Sequence, residues 1–121
     1  MRTAIKLIKR ERKKQINSAL LNTHYEKDEL FYAGCCYHSA VKQREAGCHP
    51  GTPPTDWPFP KSYWRPTPNK RIKEIIKAGA LLQTHFELTG SELARVMVYV
   101  CAREIEELLN ENKNEKTRVL S

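Results

Sequence analysis

All seven prolines of the 121-residue chain fall between Pro50 and Pro68. Proline holds φ near about −65° and has no backbone N–H, so neither a helix nor an inner strand can run through such a stretch. The residues on either side of it have helical apolar spacing. In the first part, Ile5, Ile8, Ile16, Ala19 and Leu20 recur at steps of three and four, interrupted by Arg12, which predicts a helix over 3–21. Asp28 can cap a second helix, with Leu30, Phe31, Gly34, Tyr37, His38, Ala40 and Val41 on a broad apolar side and Gly47 as its stop. After the prolines, Asn69 can cap a third helix carrying Ile72, Ile75, Ile76, Gly79, Leu82 and Phe86. Thr89 and Glu92 in TGSE fit a capping box for a fourth, which Leu93, Val96, Met97, Val100, Ile105, Leu108 and Leu109 carry to about residue 111. The expected fold is all-α: a four-helix, antiparallel, bundle-like single domain over residues 1–112. A long Pro/Trp-rich loop, 47–68, joins helices 2 and 3, and a polar tail, 113–121, is expected to fray.

The first helix is lopsided in charge. Arg2, Lys6, Lys9, Arg10, Arg12, Lys13 and Lys14 are opposed by Glu11 alone, within a chain of net charge +7. Like charges at helical spacing cost helix stability unless they are solvated or an anion lies near, so the partners to expect are nucleotides, nucleic acid or an acidic protein surface. No apolar run approaches the ~18 residues of a membrane span, and the N-terminus lacks the apolar core of a signal peptide; a cytosolic protein with no membrane partner is expected. Cys35, Cys36, Cys48 and Cys101 show no disulfide-framework spacing and are expected as reduced thiols.

Loops as long as 47–68 are uncommon inside a compact domain and usually carry function. Here Trp57, Phe59, Tyr63 and Trp64 alternate with prolines, and Lys61, Arg65, Lys70 and Arg71 follow closely. Planar rings beside cationic donors suit a nucleotide, whose base stacks and whose phosphates need neutralising. The competing reading folds the tryptophans back as a lid anchored on the bundle; both hold if that lid closes one wall of a pocket. Cys35, His38, Cys48 and His49 are four residues of zinc-ligand type, but their spacing matches no common zinc module, and AGCCYH on an apolar face reads as core. A Cys nucleophile with His38 or His85 has the residue types and no specifying geometry. Gly51 in HPGTPP marks a turn, since a phosphate loop needs G-x-x-x-x-G-K-[ST]. Gly79 in KAGALL marks a close approach of helices.

The segments ERKKQ (Glu11 to Gln15), ELFYAGCCY, WPF, YWRP and KRIKEIIKAGALL (Lys70 to Leu82) resemble a family of small phage and prophage proteins of unassigned activity. The likeness covers residues 10 to 88. That pattern is in turn distantly similar to the MazG-like all-α nucleoside triphosphate pyrophosphohydrolases, which hold magnesium on paired E-x-x-E and E-x-x-D carboxylates. In a rough alignment Ala33, Gly34 and Tyr37 stand where the first acids would be, and Glu74 and Lys77 where the second pair would be; only Glu74 is an acid. A cation at Lys77 can hold phosphate directly, without metal. The resemblance thus implies a non-catalytic, phage-type binder of a phosphorylated nucleotide, suited to sequestering a host defence signal, in a dimer or larger assembly. Its expected site combines Trp57 and Trp64 for stacking and Arg65, Arg71 and Lys77 for phosphate, with Arg12, Gln15 and Glu74 lining the rest. No cofactor is expected. Magnesium enters only in the alternative of a pyrophosphohydrolase using Glu26, Glu29 and Glu74. Two further alternatives are nucleic-acid binding through the basic face of the first helix and an inhibitor docking on a host protein through the aromatic loop.

Overall fold

The structure is a computed structural model and describes residues 2–16, 27–45, 57–59, 64 and 70–120. Its four helices are α1 (Arg2–Ile16), α2 (Lys27–Glu45), α3 (Arg71–Thr89) and α4 (Glu92–Leu120), and no strand occurs among the described residues. The fold is all-α. No described helix is long and apolar enough to cross a membrane.

α3 organises the rest, because α1, α2 and α4 all pack on it. Its sequence allows this: Ile75, Ala78, Gly79, Ala80, Leu81 and Leu82 are all buried, so small side chains let neighbours approach on several sides while the leucines fill between them. At Gly79 a Cβ would lie 2.9 Å from Ile8 Cδ1 of α1 and 3.4 Å from Cys101 Cβ of α4, so three helices meet there. Gly34 does the same for α2, where a Cβ would lie 2.8 Å from Leu82 Cγ and 3.1 Å from the carbonyl oxygen of Ala78.

α1 has no acid in its own first turn. Glu106 of α4 serves instead, its Oε1 accepting a 3.0 Å hydrogen bond from the Ala4 amide, one of the donors a helix start leaves open. His38 Nε2 of α2 lies 3.1 and 3.2 Å from the two carboxylate oxygens of Glu104 on α4.

Several helix ends differ from expectation. α2 begins at Lys27, which places Asp28 inside the first turn instead of at the cap. α3 begins after Lys70, which forms no side-chain cap; Asn69, the expected cap, lies outside the described residues, as do 17–21 of the expected first helix. Thr89 is the last residue of α3 and not the cap of α4. Gly90 takes the left-handed conformation (φ 69°, ψ 16°) and donates to the Phe86 carbonyl at 2.7 Å, ending α3. Ser91 then caps α4, its Oγ accepting from the Ala94 amide at 3.3 Å. α4 does not stop near 111 but continues to Leu120, through most of the expected tail. From Ser91 onward the chain has neither glycine nor proline, so no residue there interrupts the helix.

Candidate functional site: a cationic cleft between α1 and α3

Arg10 and Lys14 stand at i, i+4 on α1, and Lys73 and Lys77 stand at i, i+4 on α3. Each pair puts like charges about one turn apart, an arrangement that costs a few tenths of a kcal/mol in an isolated helix, ~0.2–0.5. Packing α1 on α3 brings the two pairs together around a cleft of about 300 Å³, lined also by Leu7, Glu11 and Ile76. Four cations thus meet one carboxylate over an apolar floor. Among the described residues Arg10, Lys14 and Lys73 form no ion pair. Gln15 ties the two helices beside the cleft, its Nε2 donating to the Lys77 carbonyl at 3.3 Å.

The tryptophans lie in the core. Trp57, Phe59 and Trp64 are buried, and Trp64 stacks on Tyr37 of α2 at 4.8 Å between centroids and 18° between planes. Trp57 meets Trp64 at 4.9 Å, Tyr37 at 5.5 Å and Phe59 at 5.5 Å, each time edge-on. This is the lid geometry. One face of Trp64 is covered by Tyr37, so the expected wall of outward-facing stacking rings is not what these residues form. Proline gives the physical reason only in part: it stiffens the connection, but the apolar area of two indoles favours burial more strongly than any preset extension opposes it. Lys77 connects the two regions, lining the cleft while its Nζ sits 5.9 Å from the centroid of the Tyr37 ring.

Of the expected site residues among those described, only Lys77 lines the cleft. Arg12 pairs with Glu87, which at a 1.5 Å rise per residue lies about 20 Å along α3 from Lys73. Arg71 turns toward α4, with its Nη2 3.8 Å from Glu111 Oε2, both side chains well exposed. Gln15 and Glu74 are buried, at 8% and 0% exposure, and Gln15 serves helix packing. Arg65 lies outside the described residues, as do Glu26, Cys48, His49, Lys61 and Tyr63. In the sequence Arg10 and Lys14 stand out only as part of the basic face of the first helix, and Lys73 is not singled out; the paired i, i+4 cations were the available signal.

Among the described residues no three His, Cys, Asp or Glu side chains come together as a metal site. Gly34 and Tyr37, where the MazG-like alignment places carboxylates, belong to helix packing and to the aromatic cluster. No family model matches the chain, nor does any curated protein or solved structure. The site rests on its residues alone.

The sequence leaves open which cysteine would serve as a nucleophile; Cys35, which is half-buried, has its thiol pushed above the ordinary value of 9.0 by burial. Less thiolate is therefore present near neutrality than on a free cysteine, which is the opposite of activation. Native protein alkylated with iodoacetamide near neutral pH is expected to label Cys35 more slowly than denatured protein, as followed by peptide mass spectrometry. The stability consequence has a definite sign. The unfolded chain loses this proton at 9.0 and the folded chain only above it, so the contribution of the neutral thiol is intact below that pH and declines as pH rises past it.

Proposed function

We propose that the protein binds a phosphorylated nucleotide in the α1–α3 cleft without using it as a substrate. The observation that carries this reading is the convergence of Arg10, Lys14, Lys73 and Lys77 on one cleft of about 300 Å³ with Leu7 and Ile76 in its floor. Cationic walls suit phosphate oxygens, and an apolar floor suits the flat face of a base; pockets for small ligands begin at roughly this size, ~300 Å³. Hydrogen bonds from charged donors contribute about 1.5–3 kcal/mol each, enough to hold one or two phosphates directly. Among the described residues Glu11 is the single carboxylate in the lining, which leaves phosphate neutralisation to ammonium and guanidinium groups.

Calorimetric titration with mono-, di-, tri- and cyclic nucleotides, with and without magnesium, tests the reading. Binding is expected without magnesium, and Lys14→Ala or Lys73→Ala is expected to weaken it about tenfold each, the loss of one charge-assisted contact. Both side chains are exposed, so the melting temperature of the unliganded variants is expected to change little. Absence of binding by every nucleotide sinks the proposal.

A second reading has its own observation. Arg2, Lys6, Lys9 and Lys13 are exposed along α1 and extend the positive surface beyond the cleft. A polynucleotide engaging that surface would release counterions, so its affinity would fall steeply with salt, with a log–log slope of about −0.7 to −0.9 per phosphate contacted. Loss of that affinity on neutralising Lys9 and Lys13, both outside the cleft lining, would favour this reading over a single nucleotide.

A further inference from the structure

α4 carries two apolar stripes where a surface helix normally carries one. Ala94, Val98, Cys101, Ala102 and Ile105 form the first and are buried in the core. Leu93, Val96 and Val100 form the second, spaced by three and four residues on the opposite side of the helix, and they are 61%, 44% and 41% exposed. Tyr99, 55% exposed, borders the stripe. Charged residues close both ends: Glu92 and Arg95 at the start, paired with each other, and Arg103 and Glu107 at the finish, 3.6 Å apart.

We propose that this face docks on the same face of a second copy, with the two α4 helices antiparallel about a two-fold axis that crosses between them midway between Val96 and Val100. Charge selects this occupant and this orientation. A chain of net charge +7 repels its own copy over most of its surface. From Glu92 to Lys113, however, α4 holds Glu92, Glu104, Glu106, Glu107 and Glu111 against Arg95, Arg103 and Lys113, so contact through α4 avoids that repulsion. Antiparallel pairing sets Val96 against the partner's Val100 and lays Leu93 on the aliphatic stem of the partner's Arg103. It also places the Glu92 carboxylate near the guanidinium of the partner's Arg103, and the symmetry repeats each contact. Parallel pairing would instead oppose Glu92 to Glu92 and Arg103 to Arg103. Each end of the stripe carries one exposed acid and one exposed base, and only the antiparallel arrangement sets the acid Glu92 on the level of the partner's base Arg103, a cross-pair that the two-fold axis repeats.

A face three turns long makes a contact at the small end of specific interfaces, about 1,200 Å² or less, so association is reversible and visible by dilution. Sedimentation equilibrium of the full chain over roughly 1–200 µM, the range for such contacts, is expected to show mass rising from one chain toward two. Val96→Glu is expected to hold the protein monomeric with an unchanged circular-dichroism melt, since Val96 is exposed and outside the core. Val100→Lys is the companion variant, with the same expected outcome. Glu92→Arg and Arg103→Glu are each expected to raise the dimer Kd at least threefold, and the charge-swapped double variant to restore it. A chain that stays monomeric throughout overturns the proposal, as does a dimer indifferent to Val96→Glu and Val100→Lys, or a double variant no tighter than the singles.

Discussion

Trp64→Ala is expected to lower folding stability by about 3–5 kcal/mol, the usual cost of truncating a buried large aromatic, and so to threaten a domain whose total stability is of order 5–15 kcal/mol. The magnitude follows from position. Trp64 is 8% exposed, stacked on Tyr37 and edge-on to Trp57, so its removal leaves a cavity bounded by rings that cannot collapse without breaking their own contacts. For a chain of this length that corresponds to a fall in melting temperature of more than about 10 °C, readable by calorimetry or by chemical denaturation. Trp64→Phe separates packing from polarity. The indole Nε1–H is buried and, among the described residues, finds no acceptor, so phenylalanine removes an uncompensated donor while keeping a ring on Tyr37. Phenylalanine is therefore expected to cost about 1 kcal/mol or less, because the relieved donor offsets part of the lost volume. Equal losses for Ala and Phe would mean that the N–H, and not the ring, is what position 64 requires.

This outcome also decides how ligand binding should be probed. A variant at Trp64 changes the core and would alter a thermal-shift response whether or not a nucleotide touches the ring. Lys14 and Lys73 are the cleaner reporters: both are exposed and both line the cleft. Lys77 is less clean, since it also lies over Tyr37 and a substitution there reaches the aromatic cluster.

The helices were legible because their signal is local. Ile8, Leu30, Ile75, Leu82 and Ile105 repeat at helical spacing, and each lies in the core where that spacing puts it; on α4 the expected stripe is corrected, since Leu93, Val96 and Val100 are exposed and Ala94, Val98, Cys101 and Ala102 take the buried side with Ile105. The ends were less legible, because TGSE holds two residues able to cap, Thr89 and Ser91. The choice between them depends on Gly90 taking a positive φ, which the pattern permits and does not require. The cleft was harder still. Arg10 and Lys14 are separated from Lys73 and Lys77 by about 60 residues, and only the crossing of α1 on α3 joins them. Arg12, within ERKKQ, was expected in the site and Arg10 was not. Two residues turn a helix by about 200°, which is enough to carry one guanidinium into the cleft and the other to Glu87. The aromatic loop left two readings open for a thermodynamic reason: a Trp–Pro–Arg composition serves a ligand wall and a buried lid equally, and the difference lies in whether an apolar partner such as Tyr37 is within reach.

Gly34→Ala and Gly79→Ala make a matched pair in which the same atom is added to two buried helical glycines with different expected results. Alanine raises helix propensity at either position by about 0.8–1 kcal/mol, so any difference between them must come from the neighbours. At Gly34 the new Cβ meets Leu82 Cγ at 2.8 Å and the Ala78 carbonyl oxygen at 3.1 Å. One is a branch point, and the other is backbone in the middle of α3; neither can move without shifting a helix. Overpacking of this kind costs about 1–3 kcal/mol, so a net loss of about 1–2 kcal/mol is expected after the propensity gain. Gly34→Val, with two more carbons in the same space and a β-branch in a helix, is expected to cost about 3 kcal/mol. At Gly79 the nearest atoms are Cδ1 and Cγ1 of Ile8, at 2.9 and 3.1 Å, both on one side chain that a change of χ1 rotamer can withdraw, with no backbone atom among the closest three. Gly79→Ala is therefore expected to lie within about 1 kcal/mol of wild type. Urea denaturation of the two alanine variants measures the difference directly. If Gly79→Ala proved the more damaging, the tight helix crossing that sets this fold would be α1 on α3, and the closeness of α2 to α3 at Gly34 would have to be relaxed in solution.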